Sequence, residues 1–170
     1  MERALDRVAN GLVDHWLAGF NAMMAVYVAL PVLAPLLAWS GASGAAGLIY
    51  WAYSYTCNQI PSHSWFIFGH QMAYCQRDTA IYVSMLVGGL LYARNRLWTR
   101  GLPFWAYVLL ALPMAIDGFT GLFGWRDSTP LLRTLTGALF GFASAWFIYP
   151  LTDRALAPFA RLSAEPLEVP

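Results

Sequence analysis

Charged residues are scarce in this sequence, and that scarcity excludes an ordinary water-soluble fold. Only 11% of the 170 residues are Asp, Glu, Lys or Arg, whereas soluble domains carry about 25%. No charged residue occurs from Trp16 to Gln76, a run of 61 residues. A protein of this size cannot shield such a run from water, but the hydrocarbon core of a bilayer accommodates it. The sequence therefore predicts an all-α integral membrane protein.

Other absences narrow the chemistry. All ten basic residues are Arg, which excludes Schiff-base chemistry on a lysine amine. The two cysteines, Cys57 and Cys75, are too few for a disulfide scaffold but enough for one bridge or part of a metal site. The net charge of +1 provides no basic surface, so no nucleic-acid partner is expected.

Five apolar segments predict a single transmembrane domain over residues 1–153 and a polar tail over residues 154–170. A helix needs about 20 residues to cover roughly 30 Å of hydrocarbon, so four spans are the alternative if the short second segment does not cross. Apolar residues three or four apart predict a short amphipathic helix at the interface before the first span. These residues are Leu5, Val8, Leu12 and Trp16. The predicted spans are residues 20–39, 42–55, 79–93, 101–116 and 134–151.

Polar residues concentrate in two clusters, residues 57–78 before the third span and residues 117–133 after the fourth. Two crossings separate them, which predicts that both lie on the same side of the membrane. The loop 94–100 carries three arginines and no acid, and the positive-inside rule makes that loop cytoplasmic. The clusters are then expected on the extracytoplasmic side of a prokaryotic cell membrane, although that side would also carry five arginines.

The third and fourth spans are short. The charge-free stretches are 15 residues between Asp78 and Arg94 and 16 residues between Arg100 and Asp117, or about 22 and 24 Å of helix. Arginines at one end reach water through their long side chains, but the aspartates at the other end are too short. We therefore expect Asp78 and Asp117 in a polar cavity, because intramembrane acids are costly and indicate function.

The two clusters resemble a known family of prokaryotic membrane proteins, domain of unknown function 2085. The resemblance covers roughly residues 50–142 and begins with the pattern Cys-x-Gln-x-Pro-x-x-Ser at residues 57–64. It continues in residues 69–72 and 75–82, and ends in Asp117-Gly118 followed by Arg126, Ser128, Arg133 and Thr136-Gly137. The resemblance implies a membrane protein and no activity. Asn58 stands where the family commonly has His, and Asp78 where some members have Cys; both departures count against a metal site.

The first chemical hypothesis is an anion site. Arg77, Arg126 and Arg133 suit a phosphate or carboxylate, because guanidinium groups form bidentate hydrogen bonds with such groups. Asp117 or Asp78 would serve as the catalytic acid or base if the ligand is transformed. Paired arginines and aspartates that only hold the bundle together are the structural alternative. The further candidate ligand-binding residues are Gln59, Gln71 and Ser128.

Metal binding and disulfide formation are the other hypotheses for the first cluster. Zinc or another divalent metal accepts the mixed sulfur, nitrogen and oxygen donors of this segment, although their spacing matches no standard template. A disulfide between Cys57 and Cys75 would close a 19-residue segment and would suit an oxidising compartment. The predicted metal ligands are Cys57, His63, His70 and Cys75, with Asp78 as a further donor.

Three functions remain open from the sequence. The leading one is a membrane protein that binds an anionic or lipid-linked ligand in a polar pocket and, as an extension of this hypothesis, transforms it. Membrane lipid is an expected partner. The second is a non-catalytic subunit or assembly factor of a larger membrane protein complex. The third is a metal-binding membrane protein. An open cavity among the arginines and aspartates favours the first function, and closed, fully paired salt bridges favour the second.

Overall fold

A computed structural model describes residues 2–95 and 100–164 of the chain. They form five helices and one two-stranded sheet: α1 (Glu2–Trp39), α2 (Ser43–Ser54), β1 (Ser64–Ile67), β2 (His70–Cys75), α3 (Gln76–Asn95), α4 (Phe104–Leu122) and α5 (Pro130–Ala164). The all-α membrane fold expected from the sequence is confirmed. Each predicted span falls on one helix.

Within residues 2–95 and 100–164, three segments are long and apolar enough to cross a membrane, namely His15–Trp39 in α1, Phe104–Leu122 in α4 and Pro130–Phe159 in α5. The 12 residues of α2 extend only about 18 Å, which is short of the roughly 30 Å core. The crossings predicted for α2 and α3 stay predictions. The helix α3 lies beside α5 from Arg77 near Gly137 to Tyr92 near Asp153, so the two helices run parallel.

Glycines on α5 allow α3 to pack closely against it. A Cβ atom at Gly137 would lie 2.7 Å from the Arg77 carbonyl oxygen, and a Cβ at Gly88 of α3 would lie 2.7 Å from the Ala145 side chain. At Gly141 a Cβ would overlap the Ile81 carbonyl oxygen and the Ser84 hydroxyl. The small-xxx-small spacing of Gly137 and Gly141 therefore allows backbone-to-backbone contact, which places the first turn of α3 beside the first turns of α5.

The first polar cluster, which the sequence predicts as a polar re-entrant or interfacial loop, contains an antiparallel hairpin. Ile67 pairs with His70, so Phe68 and Gly69 form a two-residue turn with φ values of 51° and 80°. Positive φ at both positions is typical of a type I′ turn. The Phe68 ring stacks on Trp39 at 4.7 Å, and Tyr74 of β2 contacts Tyr27 at 5.7 Å. The hairpin thus lies along the second half of α1.

The first and last helices extend beyond the predicted spans. The segment predicted as an interfacial helix is continuous with the first span, since α1 is one helix from Glu2 to Trp39. The side chains of Leu5, Val8 and Leu12 lie outside the described residues, whereas Trp16 donates a hydrogen bond to Asp153 at 2.9 Å. At the other end α5 continues to Ala164, so the first part of the predicted polar tail is helical.

Candidate functional site

The two polar clusters meet at one end of the helix bundle. Arg77 is in the first turn of α3, Asp117 is near the end of α4 and Arg133 is in the first turn of α5. Cys75 caps α3, since its sulfur accepts the backbone N–H of Asp78 at 3.4 Å. Thr129 caps α5 in the same way, accepting the N–H of Leu132 at 3.3 Å, and Pro130 at the first helical position supports that start. Both clusters therefore lie at the same end of the bundle, and their placement on one side of the membrane stays a prediction.

Asp117 is the acid at the centre of this end. Its side chain is 2% exposed, and its two oxygens accept hydrogen bonds from different arginines. Arg77 Nη2 lies 2.5 Å from Oδ2, and Arg126 Nη2 lies 3.0 Å from Oδ1. The Ser128 hydroxyl is buried close to this carboxylate without a hydrogen bond of normal geometry. Asp117 therefore joins α3 to the loop between α4 and α5.

Three arginines border a cavity of about 370 Å³, which we term the arginine cavity. Arg77 and Arg126 are paired with Asp117 and are 23% and 52% exposed. Arg133 is only 6% exposed, and among the residues that the structure describes its guanidinium has no hydrogen-bond or ion-pair partner. The lining residues are Asn58, Ile60, His63, Arg77, Gly118, Gly121, Leu122, Arg126, Asp127, Ser128 and Arg133.

The pKa of His63 is sensitive to the positive charge of this cavity. Burial lowers the pKa of its imidazole below the ordinary value, and Arg133 and Arg77 lower it further, while the Asp127 carboxylate opposes them. A lowered pKa favours the neutral imidazole at neutral pH. His63 therefore adds hydrogen-bonding capacity to the cavity and no additional charge.

A second group of side chains, which we term the thiol site, consists of Cys57, Cys75 and Asp78. Their sulfur and carboxylate oxygen atoms all lie within 4.8 Å of one another. Cys75 Sγ donates to Asp78 Oδ2 at 3.2 Å, and the backbone N–H of Cys75 donates to Cys57 Sγ at 3.3 Å. Both cysteines are free thiols. The hairpin thus carries Cys75 back to Cys57, with Asp78 on the first turn of α3.

The two thiols differ in acidity. The interaction between the two thiol side chains lowers the pKa of Cys57, and the same interaction, together with burial, raises the pKa of Cys75. A cavity of about 250 Å³, the thiol cavity, adjoins both sulfurs. It shares Asn58, Ile60, His63 and Arg77 with the arginine cavity. The two cavities are therefore neighbours along a common wall.

The predicted glutamines hold the first cluster in shape. Gln59 donates to the Tyr50 carbonyl at 2.7 Å, and Gln71 donates to the Gln59 carbonyl at 2.6 Å and to the Ser64 hydroxyl at 3.0 Å. Gln59 also lines the thiol cavity. Their amide nitrogens are therefore already engaged within the protein, and their predicted ligand contacts stay predictions.

The predicted metal ligands do not all come together. Cys57 and Cys75 are adjacent, and His63 lines the thiol cavity. His70 is at the other end of β2 from Cys75, about 16 Å away at the rise of an extended strand. Sequence reasoning placed Asp78 only among the acids and further donors, but it completes the thiol site. Gly118 and Gly121 of the second cluster line the arginine cavity as well, although neither was among the predicted site residues.

Comparisons with known proteins find one family of predicted membrane proteins and two uncharacterized archaeal relatives. A family model described as predicted membrane protein, domain of unknown function 2085, matches residues 57–147. An uncharacterized protein of Methanocaldococcus jannaschii is 43% identical over 105 residues, covering 61% of this chain and 67% of that protein. An uncharacterized protein of Methanothermobacter thermautotrophicus is 31% identical over 93 residues, covering 55% of this chain and 84% of that protein. No solved structure matches.

Proposed function

The chain belongs to the domain of unknown function 2085 family of predicted membrane proteins, and on that premise we propose that it binds an anionic group in the arginine cavity. The ligand is a phosphate group, carried either by a soluble anion or by a lipid. We also propose that the protein lies in the cell membrane with this cavity on the extracytoplasmic side.

Arg133 is the observation that carries the proposal. Most of the Arg133 side chain is buried, and its guanidinium opens onto the arginine cavity, where its charge favours a bound counter-ion. Arg77 and Arg126 already have Asp117 as a partner, and Arg133 has none among the described residues. An anion bound beside Arg133 would supply the missing charge.

The size and the donors of the cavity suit a phosphate. Its volume of about 370 Å³ falls within the roughly 300–1,000 Å³ of small-molecule sites. Guanidinium groups match the oxygens of a phosphate in pairs, and the neutral form of His63 adds a donor or acceptor. The position at the end of short spans gives access both to water and to lipid headgroups.

Chemical transformation of the bound ligand would be an extension of this proposal. Asp117 would first have to release Arg77 or Arg126 before it could accept a proton, and Asp78 accepts a hydrogen bond from Cys75. The catalytic roles of these two aspartates therefore stay predictions. The structural alternative, a non-catalytic subunit of a membrane complex, draws support from the Asp117 ion pairs but does not account for Arg133.

Thermal unfolding of the purified protein in detergent would test the binding. Inorganic phosphate is compared with chloride at equal ionic strength, and nanodiscs containing phosphatidic acid are compared with phosphatidylcholine alone. We expect stabilisation by phosphate or by phosphatidic acid, of about 2.7 kcal/mol at one hundred times the dissociation constant. Stabilisation by phosphatidic acid alone identifies a lipid ligand, and the absence of both responses contradicts the proposal.

Arg133→Gln is the decisive variant, with Arg154→Gln at the far end of the same helix as the matched control. Without ligand, Arg133→Gln is expected to be at least as stable as the parent, because it removes a largely buried charge that has no partner among the described residues. It should also lose the response to phosphate, whereas Arg154→Gln should keep it. A less stable Arg133→Gln protein with an unchanged response would favour the structural alternative.

A further inference from the structure

The thiol site has a different chemistry from the arginine cavity. Its three donors are two sulfurs and one carboxylate, drawn from the segment after α2, from the end of β2 and from α3. Two of these donors are 18 positions apart in the sequence, so the hairpin is what brings them together. The two cysteines are the only ones in the chain.

We propose that Cys57, Cys75 and Asp78 bind a divalent metal ion of the zinc type. This proposal does not depend on anion binding in the arginine cavity. Of the donors expected from the sequence, it keeps Cys57, Cys75 and Asp78 and leaves out His63 and His70 as ligands.

The separations of the donor atoms fit such an ion. Sulfurs at about 2.3 Å from a tetrahedral zinc lie about 3.8 Å from each other, and a carboxylate oxygen at about 2.0 Å lies slightly nearer. The donor atoms of the thiol site all lie within 4.8 Å, with Cys75 Sγ and Asp78 Oδ2 at 3.2 Å. Small side-chain rotations therefore suffice to place all three around one ion.

The types of donor select the class of metal. Thiolates favour zinc and other ions of borderline or soft character, and they disfavour magnesium and calcium, which take oxygen ligands. Binding exchanges the two thiol protons for one divalent ion. In the loaded site, two thiolates and one carboxylate then surround two positive charges, so the net charge is one negative beside Arg77.

Three protein ligands leave one tetrahedral position for water or another donor. The thiol cavity of about 250 Å³ provides room for that position, and His63 lines the same cavity. A closed structural site would instead need four protein ligands. The bound metal would therefore be accessible from the cavity and not sealed within the fold.

Cobalt substitution would test the site in the full-length protein. The reduced protein in detergent is stripped with a chelator, and Co²⁺ is then added. Because only Cys57 and Cys75 carry thiols, a thiolate-to-cobalt charge-transfer band reports this site alone. We expect one equivalent of Co²⁺, displacement of the band by one equivalent of Zn²⁺, and protection of both thiols from alkylation by Zn²⁺.

Two variants and one control make the result specific. Cys57→Ser and Asp78→Asn should each weaken Co²⁺ binding at least tenfold, whereas His70→Ala should bind as the parent does. Absence of the band in the parent protein overturns the proposal whether or not the variants fold. Intact mass without reductant that is two hydrogens lower would indicate a Cys57–Cys75 disulfide in place of the metal, which also overturns it.

Discussion

At the scale of single residues, Asp117 holds together more of the site than any other side chain. It is buried and pairs with Arg77 from α3 and with Arg126 from the loop after α4. Asp117→Asn keeps the shape but removes the charge, which leaves both guanidiniums without their counter-ion. We expect a loss of about 3 kcal/mol in the free energy of unfolding, at the low end for a broken buried pair because the arginines are partly exposed.

Unfolding in mixed detergent micelles measures this loss. Asp127→Asn is the matched control, because Asp127 lies in the loop just after α4 and is exposed, and its change should stay within about 0.5 kcal/mol. Equal effects of the two substitutions would show that the Asp117 ion pairs do not support the fold.

His63 provides a second, electrostatic test at this scale. Arg133→Gln should raise the pKa of His63, since it removes one of the two positive charges that lower it. The pKa should still stay below its ordinary value, because burial and Arg77 remain. Nuclear magnetic resonance of labelled histidine, with only three histidines in the chain, measures the shift. An unchanged His63 pKa in this variant, as expected for Arg154→Gln, would contradict the arrangement of the cavity.

The sequence predicted part of the site at residue scale. Short spans and the expense of acids in a membrane pointed to Asp117, and the arginines followed as its partners. Asp117 pairs with Arg77 and Arg126 and not with Arg133. Which two of the three arginines form these pairs depends on the tertiary packing, which sequence spacing does not reveal. His70 was included because it is near Cys75 in sequence, but an extended strand separates them.

At the scale of elements, the contact between α3 and α5 fixes the site. Gly141→Ala would place a methyl group against the Ile81 carbonyl oxygen, and a backbone atom cannot rotate away as a side chain does. We expect a loss of at least about 1–3 kcal/mol, the usual cost of overpacking, because the helices must separate. The measurement is again unfolding in mixed micelles.

Gly47→Ala is the control for this change. Gly47 lies in α2, and a Cβ there would meet nothing within 4 Å, so this substitution should leave stability within about 0.5 kcal/mol. Equal stability of Gly141→Ala and the parent would show that α3 and α5 pack less closely than described.

The elements themselves were predictable to different degrees. Long apolar runs gave all five helices, because the bilayer requires backbone hydrogen bonds to be made within each helix. The hairpin was missed because its turn, Phe68-Gly69, lacks the usual Asn or Asp, and Phe rarely adopts positive φ. The stacking of Phe68 on Trp39 is a tertiary contact, which local sequence does not reveal.

At the scale of the whole molecule, the positions of the arginines predict the orientation of the protein in the membrane. Arg94 and Arg100 flank the end of the bundle opposite to the arginine cavity, and Arg154 donates to the Arg100 carbonyl at 2.7 Å. The positive-inside rule then predicts that Cys57 and Cys75 react with a membrane-impermeant maleimide in intact, chelator-treated cells. Labelling only in inverted vesicles would reverse the orientation.

A reporter on the opposite side completes that measurement. Arg154→Cys in a chain that also carries Cys57→Ser and Cys75→Ser should react only in inverted vesicles. The thiol site is at the start of α3, which lies beside the start of α5, whereas Arg154 is in the second half of α5. Reaction of both reporters from the same side would therefore contradict the helix arrangement itself.

The hairpin also has a consequence for the order in which the chain is made. In the described part of the chain, β1 and β2 pair only with each other. The N–H and C=O groups on the outer edge of each strand therefore need hydrogen-bond partners from outside the sheet. Tyr50 of α2 donates to the Gln71 carbonyl at 2.5 Å. During synthesis α1 and α2 leave the ribosome first, so the hairpin emerges onto a surface that is already present. We therefore expect the hairpin to resist protease in a nascent chain that is arrested after α3, before α4 and α5 have been synthesised.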